Sequence, residues 1–137
     1  MAADLFVDTS GFYALLVKGD DRHDAARRRL TEARRTKRRF VTSDYVLDET
    51  ATLLKARRHT HLLGPFFDSV LPSQACRVAW TDMERFQDVR AFFLKHADQA
   101  WSFTNCLSFC IMKELRLGEA LTKDKHFREA GFVALLH

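Results

Sequence analysis

The chain has 137 residues, 47% of them hydrophobic, which suits one domain over residues 1–137 with one sizeable core. Lys and Arg number 22 against 18 Asp and Glu, a formal net charge of +4, so an anionic partner is favoured and nucleic acid is the first candidate. The opening MAADLFVDTS lacks the basic region and long apolar run of a secretory leader, and every apolar run is too short and too interrupted by charge to span a bilayer. A cytoplasmic protein is therefore expected.

In chain order, Leu5-Phe6-Val7 is a buried strand that stops at Asp8-Thr9-Ser10-Gly11, where a helix begins and continues over Phe12 to Val17. A basic helix over His23 to Arg35 follows the turn at Gly19-Asp20-Asp21, and Arg39 to Thr42 form the second strand. Ser43 and Asp44 are both N-cap candidates for a helix that carries Glu49, Ala51, Leu54 and Ala56. Gly64-Pro65 breaks or restarts the helical pattern. Cys76 to Trp80 read as a third strand. Thr81-Asp82-Met83-Glu84 has the form of a capping box, which starts a helix reaching about His96. A further helix begins near Ser102 or Thr104 and ends before Gly118. Ala120 to Thr122 form a fourth strand that stops at Lys123-Asp124, a small helix spans His126 to Ala130, and a last strand covers Phe132 to Leu136. Strands alternating with helices through short connections predict an α/β fold, a three-layer sandwich around a mainly parallel sheet of about five strands.

Such a sheet places its ligand site outside the carboxyl ends of its strands. That rule selects Asp8, Asp82 and Asp124 at strand ends, and Glu49 on the helix that leaves the second strand. An acid in such a turn is commonly no more than an N-cap, and the capping box already accounts for Asp82. Several carboxylates meeting at one edge are different. Their mutual repulsion is costly unless a cation or a proton resolves it, which makes a metal site the economical explanation.

The segments Leu5-Phe6-Val7-Asp8-Thr9-Ser10, Leu47-Asp48-Glu49, Trp101-Ser102-Phe103-Thr104-Asn105-Cys106 and Leu121-Thr122-Lys123-Asp124-Lys125-His126-Phe127 resemble, in order and spacing, the motifs of PIN-domain nucleases, most closely the VapC-type toxins of toxin–antitoxin systems. The resemblance covers essentially the whole chain. It implies a PIN-like fold and a Mg2+- or Mn2+-dependent endoribonuclease, usually a homodimer, which cuts RNA and is held inactive by a cognate antitoxin. It also implies a site of four acids. Asp8 matches the first, Glu49 the second and Asp124 the fourth, and Asn105 stands where the family has the third. On this basis Asp8 and Asp124 are the main metal ligands, and Glu49 ligates or orients the attacking water. Thr9 and Thr104 are candidates to hold a phosphate or a metal-bound water, and Thr104 is equally a candidate N-cap of its own helix.

An amide offers one neutral carbonyl oxygen and a donor NH2 where a carboxylate offers a full charge and two oxygens. Asn105 can still give a hard cation one weak contact, but it cannot bridge two ions, and it leaves the site one charge less negative. The expectation is a chain of impaired or absent activity. Substitution to silence a toxin, natural drift, and an active variant that takes a ligand from elsewhere, such as Asp98, are the competing accounts, and the first is favoured because the other acids remain. The alternative function is a non-catalytic PIN-like module that binds RNA or an antitoxin. An aspartate next to Asp8, as in a response regulator, or an Asp-x-Asp pair, as in a haloacid-dehalogenase phosphatase, is excluded by Thr9 and Ser10.

Arg34, Arg35 and Arg38 belong to a dense basic run and are the candidate RNA-binding residues, with Arg57 and Arg58 in another helix. The histidines, including His59, His61 and His126, lack the i, i+4 pairing of a zinc-binding helix. Cys76, Cys106 and Cys110 form no CxxC pair. Cys106 and Cys110 share a helical face, and there two small apolar side chains are a plainer reading than a zinc half-site.

Overall fold

In the computed structural model, which describes residues 3–137, each short apolar run becomes a strand. The elements in chain order are β1 (Leu5–Val7), α1 (Thr9–Leu16), α2 (His23–Arg35), β2 (Phe40–Ser43), α3 (Asp44–Ala56), a 3₁₀ turn at Thr60–Leu62, α4 (Leu63–Val70), β3 (Cys76–Ala79), α5 (Met83–Lys95), α6 (Phe103–Glu114), β4 (Glu119–Leu121), α7 (Lys125–Glu129) and β5 (Val133–Ala134). Neighbouring strands all pair in parallel, in the order β3-β2-β1-β4-β5.

Every residue of β1 and β2 is buried, as a parallel sheet covered on both faces requires. The helices fall into two packed groups. In one, α1 lies against α2 and α3, and α3 against α4; in the other, α6 lies against α5 and α7. From β1 the chain steps outward to β2 and β3, then returns to β4 on the far side of β1. With right-handed crossovers, that reversal puts the first group of helices on one face of the sheet and the second on the other. The expected three layers follow from it. Connections leave the adjacent strands β1 and β4 toward opposite faces, so a crevice opens at their carboxyl ends.

One glycine keeps that crevice narrow. A Cβ on Gly11, in the first turn of α1, would overlap the carbonyl oxygen of Leu121 at the end of β4. The same oxygen accepts the Asp8 backbone N–H at 3.2 Å, so the start of α1 is drawn tightly onto β4.

Two local details differ from the sequence reading. The N-cap of α5 is Asp82, which accepts from the Arg85 N–H, and the expected Thr81–Glu84 capping box does not form. The reason is that Thr81 gives both its backbone N–H and its hydroxyl to Asp44 at the start of α3. Of Phe132 to Leu136 only Val133–Ala134 pair in the ladder, because the chain turns at Leu135. Of the two alternatives at Gly64-Pro65, the restart is the one observed: the pair opens α4, where a proline in a first turn removes no helical hydrogen bond. Among the described residues, no helix is long and apolar enough to cross a membrane.

Candidate functional site

Asp8, Glu49 and Asp124 arrive from the end of β1, the middle of α3 and the loop after β4, and all three line one cleft of about 340 Å³. A cavity of similar size, about 360 Å³, lies among Phe12, Leu30, Phe40 and Phe66 and contains no carboxylate; a larger one, about 530 Å³, between α5 and α6 holds Asp82, Glu84, Asp88 and Glu114 together with Arg85 and Lys113, away from the strand-end acids.

Asp8 occupies the N-cap position of α1, yet its side chain makes no capping bond. It is buried, and its Oδ2 accepts the Thr122 hydroxyl at 2.9 Å. Burial pushes its pKa from 3.8 up to about 6; the Thr122 hydrogen bond opposes this, and the charges of Glu49 and Asp124 add to it. Each Asp124 oxygen accepts one hydrogen bond from the protein, which leaves acceptor capacity on both. Its Oδ1 caps α7 by accepting from the His126 N–H at 2.9 Å, and its Oδ2 accepts from the Asn105 side-chain amide at 3.2 Å. Glu49 is exposed on the wall formed by α3.

Thr122 joins the buried Asp8 to the half-buried Asp124, a role that no feature of the sequence analysis assigns to it. While its hydroxyl donates to Asp8, its oxygen accepts the Asp124 backbone N–H at 3.0 Å and lies 3.1 Å from Ser10 Oγ. Ser10 Oγ accepts the Lys123 N–H at 2.8 Å. The proton order is thereby fixed: Thr122 gives its proton to Asp8, so the Ser10 hydroxyl donates to Thr122. The available signal was a hydroxyl residue two positions from each strand-end acid, Ser10 after Asp8 and Thr122 before Asp124. Thr9 also lines the cleft, and its buried Oγ1 has no protein partner.

Asn105 is buried beside the cleft rather than lining it. Ser102 caps α6 by accepting the Asn105 backbone N–H at 3.0 Å, and Asn105 Oδ1 returns the bond by accepting the Ser102 N–H at 3.0 Å. Its remaining group, the amide NH2, meets the Asp124 carboxylate. Every strong polar function of the side chain is thus matched within the protein. An aspartate in this pose would turn a carboxylate oxygen toward Asp124, a repulsive contact that a cation or a proton must resolve. Thr104 lies in the first turn of α6, and the cap position proposed for it belongs to Ser102. Asp98 is exposed in the turn after α5 and does not reach the cleft.

Asp8, Asp124 and Glu49 offer hard oxygen donors, and the unpartnered Thr9 hydroxyl leaves a polar group at the cleft wall for a hydrated ligand. Among the described residues, no three His, Cys, Asp or Glu side chains are gathered closely enough to enclose a metal ion. Hard carboxylate oxygens of this kind are the donors a magnesium-type ion takes one or two of while it keeps several waters, with no protein cage required.

The basic residues divide between the two edges of the sheet. Arg34 and Arg35 close α2, and Arg38 precedes β2, which places all three at the amino edge, opposite the acids. Arg38, expected to contact RNA, is partly engaged within the protein: its guanidinium donates to Glu119 at 2.7 Å and to the Ala3 carbonyl at 2.6 Å. The cations that line the acid cleft are Arg57 and Lys123. Cys106 is buried and burial raises both its thiol and that of Cys110, the latter to about 11, which fits the apolar reading of the pair.

Residues 5–133 match the family model of the PIN domain. Two curated relatives from Mycobacterium tuberculosis, strains CDC 1551 and H37Rv, each named 23S rRNA-specific endonuclease VapC20, are 32% identical over 129 residues, which is 94% of this chain and 95% of theirs. The crystal structure of Mycobacterium tuberculosis VapC20, described as a sarcin–ricin loop cleaving toxin, aligns with a TM-score of 0.82 at 30% identity and covers 95% of this chain and 97% of that one.

Proposed function

The chain belongs to the PIN-domain family, and from that premise we propose that it is a VapC-type endoribonuclease toxin, dependent on Mg2+ or Mn2+ and impaired by the amide at Asn105. The observation that carries this reading is the convergence of Asp8, Glu49 and Asp124, from three separate elements, on one cleft. Structured ribosomal RNA is the substrate class to test first, because the relatives are named for 23S rRNA. In this reading the chain works in the cytoplasm as a homodimer and is neutralised by a cognate antitoxin, and the exposed Arg34 and Arg35 form an outer RNA-contacting face.

When bound, a divalent ion would polarise the phosphodiester and lower the pKa of a water. Asp8 and Asp124 would hold it, each prepared by Thr122, which donates to the first and receives the backbone N–H of the second. Glu49, the exposed carboxylate of the opposite wall, accepts the proton of the attacking water or orients that water in line with the scissile bond. Thr9 places its free hydroxyl where a phosphate oxygen or a water needs a donor. Asn105 secures Asp124 but supplies no charge, so ion affinity and turnover are both reduced.

Restoring the family acid tests this directly. Asn105→Asp should confer Mg2+-dependent cleavage of rRNA, and Asp8→Asn added to that variant should abolish it; no cleavage by Asn105→Asp would refute the impaired-toxin reading. One observation favours a second reading: the Asn105 amide offsets part of the Asp124 charge with no cation, as suits a non-catalytic module that binds RNA or an antitoxin. Mn2+ titration of Asn105→Asp separates the two, since such a module gains no metal site on reversion.

A further inference from the structure

An RNA strand that enters the cleft meets the carboxylates of Asp8, Asp20, Glu49 and Asp124, and some cation must offset their repulsion. Lys123 is already committed, its ammonium lying 3.2 Å from Asp20 and 2.8 Å from Asp21. Arg57, the other cation of the cleft, is exposed and forms no ion pair among the described residues.

The position of Arg57 is defined by the helix that ends at it and by an aromatic ring beneath it. Glu49 and Leu53 on α3 and Arg57 at its C-cap follow at four-residue spacing and line the cleft as one stripe, which puts Arg57 about 12 Å along the helix axis from Glu49. Its guanidinium carbon lies 4.9 Å over the centroid of the Tyr13 ring. Tyr13 is itself buried, and its hydroxyl is fixed 3.2 Å from His59 Nε2. Contact with a ring face uses none of a guanidinium's five N–H donors, so its donor edge stays free. That edge matches the paired oxygens of a phosphate.

We propose that Arg57, held over the Tyr13 ring, is the RNA-phosphate clamp of the cleft and binds a phosphate that flanks the bond to be cut. This rests on the RNA-cleaving reading above and adds to it a residue that the acid motifs do not contain. Arg57 acts in binding and Tyr13 is its positioning residue.

The test is equilibrium binding of an rRNA stem-loop, with EDTA present so that no cleavage intervenes, measured by fluorescence anisotropy over a salt series. Arg57→Ala should weaken binding by about five- to tenfold and reduce the slope of log affinity against log salt by roughly one. Arg57→Lys, which keeps the charge and loses the fork, should retain most of the slope but not the full affinity. Arg90→Ala, on exposed α5, should match the unaltered chain. If the unaltered chain binds RNA and Arg57→Ala binds it with equal affinity and slope, the clamp is refuted and the RNA-cleaving reading stands. If the unaltered chain binds no RNA, both fall. An Arg57→Ala variant that keeps its RNA affinity but loses affinity for a glutamate-rich peptide assigns the residue to a protein partner and overturns the clamp.

Discussion

The two edges of the parallel sheet carry opposite chemistry and hold it in opposite ways. At the carboxyl edge, Asp8, Glu49 and Asp124 share a cleft, and the buried Asp8 is kept in a medium that disfavours its charge. At the amino edge, Arg38 is paired with Glu119 and bonded to the Ala3 carbonyl, Arg35 is paired with Glu32, and Arg34 stands in solvent. Charge that is buried and poorly compensated marks the place where a ligand must complete the structure. Charge that is paired or solvated needs nothing further, however dense it looks along the chain. The basic run of α2 is thus a weaker pointer to the site than the single arginine at position 57.

The largest expected effect tests whether the acid edge depends on the close approach of β1 and β4. Gly11→Ala forces a methyl group into the Leu121 carbonyl and should destabilise the fold by roughly 3 kcal/mol or more. Urea denaturation measures it, and a loss below about 1 kcal/mol would mean that α1 shifts without cost.

Next in size is the pH dependence contributed by Asp8. Its folded pKa, about 6, lies above its ordinary 3.8, so the native state binds the proton more tightly than the unfolded chain. The associated stability is fully present below pH 3.8 and is lost as pH rises through 6. A displacement of that size is worth at most about 3 kcal/mol. Asp8→Asn should therefore raise the melting temperature at neutral pH, and added Mn2+ should stabilise the unaltered chain but not the variant. A variant that melts lower than the parent at neutral pH would show that the Asp8 charge is compensated after all.

The smallest effect tests the amino edge. Arg38→Ala should cost about 1 kcal/mol by breaking the half-buried pair with Glu119, with little change in RNA affinity. A loss of RNA binding as large as that of Arg57→Ala would erase the distinction between the two edges.

Much of this arrangement was legible in the chain. The apolar runs at Leu5–Val7 and Ala120–Leu121 announce strands that end at Asp8 and Asp124, because a buried strand must stop where a charge has to face the crevice. The place of Thr122 was not legible, since a threonine in a strand is ordinary and only the pairing of β1 with β4 brings it to Asp8. Position 105 could be read as a missing charge, but its exchange of hydrogen bonds with Ser102 and its hold on Asp124 could not. Periodicity places a residue on an element, whereas partners from distant segments depend on strand order.

The sequence alone determined the alternation of strands and helices, the α/β class, the acids at the strand ends and the amide at 105, because local hydrophobic period and residue chemistry encode them. Tertiary structure decided which of these residues meet. The reversal of strand order between β1 and β4 brings positions more than a hundred residues apart to one crevice. The same packing seats Arg57 on Tyr13 and sends Arg38 to Glu119. Those choices depend on how elements stack in space, and no local pattern along the chain carries that information.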